Sequence, residues 1–259
     1  MEKLVIIPTY NEKENIENII GAVLDLNQQY HILIIDDNSP DGTANIVKSL
    51  FPRYPGQVFL EQRMGKQGLG TAYIHGFKWA IEKGYRYIFE KDADFSHNPR
   101  DLDRLYAACA AGASVAVGSR YIKGGSVENW PANRIFISKG ASLYTRLITW
   151  MPIKDPTAGF VCYKREVLEA INLDGISFIG YAFQIEMKFA AWKIGFRIKE
   201  VPITFIDRKL GASKMNKSIV KEGIVGVLKL RWQSLFKSYR KRVTNPLSND
   251  MAGIMLERK

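Results

Sequence analysis

Short runs of apolar residues recur through the first half of the chain, and each ends in a polar or glycine-containing turn. The runs span 4–7, 31–35, 58–60, 87–89 and 114–118. Continuous apolar runs of this length are typical of strands that are buried on both faces of a parallel sheet. Between them, apolar residues at helical spacing predict helices at 14–26, 71–82 and 100–111, with another helix starting near residue 43. The alternation of strand and helix predicts an α/β fold, with a mostly parallel sheet covered by helices.

Two further helical patterns occupy the second half of the chain, at 181–194 and from 217 to about 239. The second pattern is amphipathic, but Arg231 interrupts its apolar face. That face consists of Val220, Ile224, Val227, Leu228 and Leu235. Trp232 and Phe236 could anchor the helix at a membrane interface, and packing on the rest of the protein is the alternative.

These patterns divide the chain into three parts. We predict a single α/β domain over residues 1–215, followed by a basic amphipathic C-terminal helix over 216–242. The remaining segment, 243–259, is predicted to be a flexible tail.

Two carboxylates follow the apolar run at 87–89. Asp92 and Asp94 are separated by one residue, so their side chains point the same way in an extended chain. Two hard oxygen ligands at the end of a buried strand suit Mg²⁺ or Mn²⁺, which complete their coordination with water and substrate phosphates. The pattern indicates either a metal bridge to a diphosphate or an ordinary acidic surface turn, because Asp-x-Asp alone is common.

Carboxylates also follow the first two apolar runs. Glu12 and Asp37 are placed to accept hydrogen bonds from a base or a ribose, whereas Asp41 is expected to cap the next helix. No Gly-x-Gly-x-x-Gly turn is present in the first unit, which argues against a dehydrogenase. The glycine-rich segment 65–70 is not a Walker loop, and it is interpreted either as a backbone contact to a nucleotide or as a plain mobile loop.

The polar loops are expected to meet in space. Parallel strands bring their carboxyl ends to one edge of a sheet, and ligands of such sheets bind beyond that edge. The loops 8–12, 36–37, 92–94 and 119–121 all follow predicted strands. This convergence predicts one site built from four separate segments.

The composition indicates a cellular compartment and a class of binding partner. Cys109 and Cys162 lie in apolar sequence, so we expect reduced core cysteines of a cytosolic protein. The net charge is +11, and the segment 208–242 supplies most of it, with eleven Lys and Arg against one acid, Glu222. This segment indicates a membrane surface, a phosphorylated substrate or a nucleic acid as partner, or else a solvated helix face.

A set of motifs in fixed order resembles one enzyme family. The motifs lie at 8–12, 36–43, 68–72, 92–97, 118–121, 128–131 with Arg134, 155–160, 184–187 and 211–214. Together they resemble the family-2 glycosyltransferases with the GT-A fold, and more closely the dolichyl-phosphate (polyprenyl-phosphate) mannose synthases. The resemblance spans almost everything from Lys3 to about Trp232. Each motif alone is weak, whereas all of them in this order are specific.

The resemblance implies GDP-mannose as donor, Mg²⁺ or Mn²⁺ as cofactor, and a polyprenyl monophosphate as acceptor. It implies nucleoside contacts by Pro8, Tyr10, Glu12 and Asp37. It implies diphosphate and metal contacts by Asp92, Ala93, Asp94 and Ser96, of which Ser96 stands where some relatives have a glutamine ligand. It implies contacts to the donor phosphates by Arg208 and Lys214, to the acceptor phosphate by Arg120 and Arg134, and to the sugar or acceptor by Gln184.

The implied reaction is chemically consistent with these residue types. A phosphate monoester has a second pKa of about 6, so it attacks as a dianion and needs no general base. We therefore expect inversion at mannose C1, with positioning and charge stabilisation as the work of Asp94, Arg120, Arg134 and Gln184.

The family also implies a cytoplasmic protein, peripheral at the inner face of the cytoplasmic membrane. The alternatives are a UDP-glucose-dependent polyprenyl-phosphate glucosyltransferase and a non-catalytic nucleotide-sugar-binding protein. A nucleic-acid-binding module is disfavoured, since no recognised motif accompanies the basic segment.

Overall fold

The computed structural model describes residues 2–180, 182–207 and 217–241, and for 217–222 it describes the backbone alone. Arg208, Lys214 and the predicted tail at 243–259 lie outside the described residues.

A seven-stranded, mostly parallel sheet forms the centre of the molecule. Its order is β3-β2-β1-β4-β7-β5-β8, and a separate two-stranded sheet pairs β6 with β9. The strands are β1 Lys3–Thr9, β2 His31–Asp36, β3 Val58–Gln62, β4 Tyr87–Glu90, β5 Val115–Ser119, β6 Ser126–Glu128, β7 Val161–Lys164, β8 Ile198–Pro202 and β9 Thr204–Ile206. The predicted parallel sheet is therefore confirmed, but the sequence reasoning missed β6, β7, β8 and β9, and β7 runs antiparallel to both β4 and β5.

Helices cover both faces of this sheet. They are α1 Ile16–Leu24, α2 Thr43–Leu50, α3 Leu69–Glu82, α4 Asp101–Ala110, α5 Ala132–Thr149, α6 Arg165–Ala170, α7 Ala182–Lys193 and α8 Lys217–Gln233. Four of the predicted helices lie within two residues of their observed bounds. No helix in the described part of the chain combines the length and apolar character needed to cross a membrane.

The prediction that the last helix continues to about residue 239 was wrong. Helix α8 ends at Gln233, because the chain beyond it pairs with the body of the protein. The Tyr239 carbonyl accepts the N–H of Asn172 at 2.8 Å, and Lys241 donates its N–H to the Ala170 carbonyl at 2.8 Å. The Tyr239 side chain is buried with its ring edge-on to Phe189.

Alternation along the strands sends side chains into two cores. In β1, Leu4 and Ile6 pack on the face covered by α3 and α7, whereas Val5 and Ile7 pack on the face covered by α1 and α4. Strands β1, β2, β4 and β5 are buried on both faces, which explains why their sequences are mostly continuous apolar runs.

The topology brings the loops that follow β1, β2, β4 and β5 to one edge. Strands β1, β2 and β4 are parallel neighbours, and β5 runs in the same direction because β7 is antiparallel to both β4 and β5. The predicted convergence of these loops is confirmed at the level of the backbone.

Candidate active site

The loop after β4 carries the acidic pair. Asp94 is buried, and its Oδ1 accepts the N–H of Ser96 at 3.0 Å, so a local turn fixes the carboxylate. Asp92 is half-buried beside it. Burial, helped by the negative charges of Asp92, Glu90 and Asp94, raises the pKa of the Tyr73 hydroxyl well above its ordinary value.

Lys91 organises this loop from below, and the sequence reasoning missed it. Its side chain is fully buried, and Nζ lies 3.3, 3.3 and 3.2 Å from the carbonyl oxygens of Asp92, Asp94 and His97. Burial lowers the pKa of Lys91 to about 8, and the charges of Asp92 and Asp94 oppose the shift. Lys91 donates to backbone oxygens, so it is a positioning residue for the loop that carries both carboxylates.

The donor set fits a divalent cation. Asp92 and Asp94 offer hard carboxylate oxygens, and the described residues contain no group of three or more His, Cys, Asp or Glu side chains that could hold a metal. A closed structural metal site is thus not formed by these residues. Mg²⁺ and Mn²⁺ suit the arrangement, because they take few protein carboxylates and fill their shell with water and phosphate oxygens.

The loops after β1 and β2 are joined to each other at the predicted nucleoside end. The N–H groups of Asn11 and Glu12 donate to Ser39 Oγ and Thr43 Oγ1, both at 3.0 Å. Glu12 Oε2 accepts the Asn15 side-chain amide at 3.1 Å. Pro8 and Tyr10 are half-exposed in the same stretch.

Asp37 lies at the end of β2 and forms an ion pair with Arg63, which the sequence reasoning did not predict. Arg63 Nε donates to Asp37 Oδ1 at 2.5 Å, and Arg63 Nη1 donates to Thr71 Oγ1 at 2.7 Å. The pair is nearly buried, so any nucleoside contact by Asp37 is made alongside this ion pair.

Asp41 contacts the start of α2 as predicted, but the N-cap position of the helix is Gly42. It accepts the N–H of Thr43 at 3.0 Å and the Thr43 hydroxyl at 2.6 Å. Partial burial alone would raise the pKa of Asp41, but the hydrogen bonds from the Thr43 hydroxyl and N–H lower it below its ordinary value.

The glycine-rich segment is explained by close packing at its end. Gly70 donates its N–H to the Ile179 carbonyl at 2.8 Å, and a Cβ there would lie 2.7 Å from Phe183 Cδ2. The absence of a side chain lets the start of α3 approach the 176–180 loop.

Arg120, at the end of β5, is held by a carboxylate. Its Nε and Nη2 donate to the two oxygens of Asp155, both at 2.7 Å, and Nη2 also donates to Thr157 at 2.9 Å. Asp155 is fully buried. Burial alone would raise the pKa of Asp155, but the charge and hydrogen bonds of Arg120 lower it below its ordinary value, so the pair is ionised.

Arg134, near the start of α5, is the more accessible of the two predicted arginines. Its Nη1 donates to Asp207 Oδ2 at 2.9 Å, and its side chain is 27% exposed. Its guanidinium lies 4.0 Å from the ring centroid of Trp130, which Arg120 also approaches, at 5.8 Å. The two arginines therefore share one aromatic neighbour.

A chain of contacts connects the acidic loop with the arginines. The N–H of Ile206, in β9, donates to the Ser96 carbonyl at 3.1 Å. The next residue, Asp207, lines the same cavity as Asp94, with a volume of about 700 Å³, and it is the partner of Arg134. The structure thus brings the predicted metal-binding and acceptor-binding residues to one region. Ser96 contributes its backbone to this link.

Gln184 lies in a buried polar cluster beneath the edge. Its Oε1 is 3.4 Å from Lys188 Nζ, which also donates to the Ala158 carbonyl at 2.6 Å. Burial lowers the pKa of Lys188 to about 8, with Glu90 opposing the shift. Burial raises the pKa of Glu90 to about 8, with Lys188 opposing. Gln184 Nε2 has no hydrogen-bond partner among the described residues.

The chain is similar to known proteins in both sequence and fold. The model of the family described as "Glycosyl transferase family 2" matches residues 4–171. The chain is 48% identical to the polyprenol monophosphomannose synthase of Mycolicibacterium smegmatis, over 86% of this chain and 84% of that protein. It is 44% identical to the undecaprenyl-phosphate mannosyltransferase of Micrococcus luteus, over 91% of this chain and 98% of that protein.

One solved structure with a similar fold is glucosyl-3-phosphoglycerate synthase from Mycobacterium tuberculosis, in complex with Mn²⁺, UDP and phosphoglyceric acid. The TM-score is 0.67 at 15% identity, over 89% of this chain and 78% of that one, which supports the fold alone.

Proposed function

This chain belongs to glycosyl transferase family 2, and we propose that it transfers mannose from GDP-mannose to a polyprenyl (dolichyl-type) monophosphate. The names of its relatives support mannose as the sugar and a polyprenyl phosphate as the acceptor. The observation that carries the proposal is the contact chain from the acidic loop through Asp207 to Arg134. It links a place for a nucleoside diphosphate to a place for a second phosphate.

At the donor end, Asp92 and Asp94 would hold a divalent cation, Mg²⁺ or Mn²⁺. When bound, such a cation supplies charge neutralisation for the departing diphosphate. Asp94 is the better oriented ligand, because the Ser96 N–H fixes one of its oxygens. Lys91 keeps the loop backbone in place through three carbonyl oxygens. Pro8, Tyr10, Glu12 and Asp37 would line the nucleoside.

At the acceptor end, Arg134 would exchange its carboxylate partner for the acceptor phosphate. A guanidinium grips phosphate oxygens in pairs, and an exposed ion pair costs little to open. Arg120 stays paired with Asp155 next to Trp130, so Arg134 is the arginine that would take the acceptor phosphate. An oxygen of the phosphate dianion then forms a bond to C1 as the bond from C1 to the GDP oxygen breaks, so GDP leaves and the configuration inverts.

The acceptor is a membrane lipid, and one face of the protein is suited to a membrane. Of the fifteen exposed large apolar side chains in the described part of the chain, five lie on or at the end of α5 and six on α8 or just after it. These eleven are Phe136, Ile137, Leu143, Leu147, Trp150, Ile224, Val225, Leu228, Trp232, Leu235 and Phe236. A concentration of this size marks an interaction surface.

Helix α8 also packs on the protein, so the packing interpretation of the sequence is confirmed in part, and the membrane interpretation remains a proposal. Val227 and Leu230 are buried, and Tyr144 of α5 donates its hydroxyl to the Ile224 carbonyl at 3.1 Å. The predicted apolar face is therefore split, with Val227 inside and Ile224 and Leu228 outside. We place the protein as peripheral at the inner face of the cytoplasmic membrane, resting on this surface.

The test is product formation by the purified protein. GDP-mannose or UDP-glucose is supplied with polyprenyl phosphate and Mn²⁺ or Mg²⁺, and labelled lipid is extracted. We expect mannosyl lipid from GDP-mannose, loss of product with EDTA, and loss in Asp94→Asn. Asp174→Asn is the control, because that carboxylate is 79% exposed and lines neither cavity. Glucosyl lipid from UDP-glucose, or donor binding without product, would contradict the proposal.

A further inference from the structure

A second cavity lies along the outer flank of α5, apart from the one beside Asp94. Its volume is about 480 Å³, a size typical of ligand sites. Lys139, Ser142 and Arg146 line it from α5, at spacings of three and four residues that place them on one helix face. Arg120 and Lys154 contribute to the facing wall.

The wall of this cavity is basic. It holds four cationic side chains and no carboxylate. Arg120 is neutralised by Asp155, whereas Lys139, Arg146 and Lys154 form no ion pair with any described residue. The surplus of three positive charges favours an anion in the cavity.

The cavity also contains polar atoms without partners. Ser142 is only 2% exposed, and its Oγ has no hydrogen-bond partner among the residues that the structure describes. Arg146 Nε also has no hydrogen-bond partner among these residues. Buried polar groups are nearly always hydrogen-bonded, so a hydroxyl and a guanidinium N–H left unpaired in a basic cavity indicate a ligand with oxygen acceptors.

The cavity borders the apolar surface of α5. Leu143 lines the cavity and is itself 53% exposed, and Leu147, one turn further on, is 64% exposed. An anion in the cavity would thus sit at the edge of an exposed apolar stripe. This is the arrangement of a phospholipid, in which a phosphate is attached to acyl chains.

We propose that this cavity binds the phosphate group of an anionic membrane phospholipid and so orients the protein on the bilayer. The proposal rests on the membrane contact of the proposed function, and it adds a headgroup class and the residues that bind it. Lys139, Arg146 and Lys154 supply charge, and the Ser142 hydroxyl donates to a phosphate oxygen. The acceptor phosphate is proposed to bind Arg134, which does not line this cavity, whereas Arg120, which does, stays paired with Asp155.

The test is vesicle binding by the full chain without donor, metal or polyprenyl phosphate. Vesicles of phosphatidylcholine are compared with vesicles that also contain phosphatidylglycerol. The variant is Lys139→Gln with Arg146→Gln, and the charge-matched control is Lys48→Gln with Lys193→Gln, two exposed lysines on other helices that do not line the cavity. Each basic residue near an anionic surface contributes about fivefold in affinity, so we expect the variant to lose roughly tenfold or more of the phosphatidylglycerol-dependent affinity.

The binding of the variant to pure phosphatidylcholine should remain, because the apolar surface is intact. Equal losses in variant and control would overturn the proposal in favour of diffuse attraction, and so would wild-type binding that ignores phosphatidylglycerol. A second measurement separates the two lipid phosphates. The KM for a short, water-soluble polyprenyl phosphate should be unchanged in the variant, and a rise in that KM would assign the cavity to the acceptor instead. The vesicle result stands whether or not mannose transfer is observed.

Discussion

Removal of one partner from the Arg120–Asp155 pair should destabilise the protein strongly. The Asp155 carboxylate is fully buried, the Arg120 side chain is 9% exposed, and both carboxylate oxygens accept guanidinium N–H groups. Breaking such a pair typically costs about 3–5 kcal/mol, because an uncompensated charge stays buried. Asp155→Asn keeps one acceptor oxygen, so we expect the lower end, a loss of about 3 kcal/mol in the free energy of unfolding.

Urea unfolding at pH 7, followed by tryptophan fluorescence and far-UV circular dichroism, measures this loss. The m value should be unchanged, since the surface exposed on unfolding is the same. The double variant Arg120→Met with Asp155→Asn should be more stable than the sum of the single changes predicts, by roughly 1–3 kcal/mol, because the unpaired charge is gone. A loss below about 1 kcal/mol for Asp155→Asn, or additive single changes, would refute the view that this pair is a buried unit.

Three further predictions follow from single residues. Gly70→Ala should destabilise the protein by about 1–3 kcal/mol in urea unfolding, because the added Cβ would lie 2.7 Å from Phe183. Gly21→Ala is the contrasting variant and should stabilise α1 by about 0.5–1 kcal/mol, because its Cβ would have no neighbour closer than 3.8 Å. The pKa of Asp155 is lower in the folded than in the unfolded protein, so ionised Asp155 stabilises the fold above the ordinary carboxyl pKa of 3.8. This stabilisation is lost as the pH falls below 3.8. In a series of unfolding measurements at different pH, Asp155→Asn should remove that part of the acid dependence. Arg134→Gln should raise the KM for polyprenyl phosphate while leaving the Kd for GDP within about twofold and unfolding within about 1 kcal/mol, since its ion pair is partly exposed.

The strands and their common edge could be predicted from the sequence because burial on both faces leaves a direct signature. The runs at 4–7 and 31–35 became β1 and β2 with little change. Strand β7 was not predicted, because its four residues fit between β4 and β5 through contacts distant in sequence. The end of α8 was misplaced for the same reason, since Tyr239 leaves the helix to pair with Asn172.

The acidic pair was visible in the sequence, but its supports were not. Lys91 beside two aspartates has the pattern of a solvated charge, and only the folded loop turns its ammonium toward three carbonyl oxygens. Arg63 lies 26 residues from Asp37, and nothing local indicates their ion pair. The position of Arg120 after β5 could be predicted and its functional role stays a prediction, whereas its ion pair with Asp155 depends on a contact across 35 residues.

We propose that the loop after β4 holds the donor diphosphate through a divalent cation. The anomalous difference density of Mn²⁺ in crystals of the protein grown with GDP tests this proposal. We expect one strong peak within coordination distance of the Asp94 carboxylate and of the GDP diphosphate. A Mn²⁺ peak away from Asp92 and Asp94, or GDP bound with its diphosphate away from this loop, would contradict it.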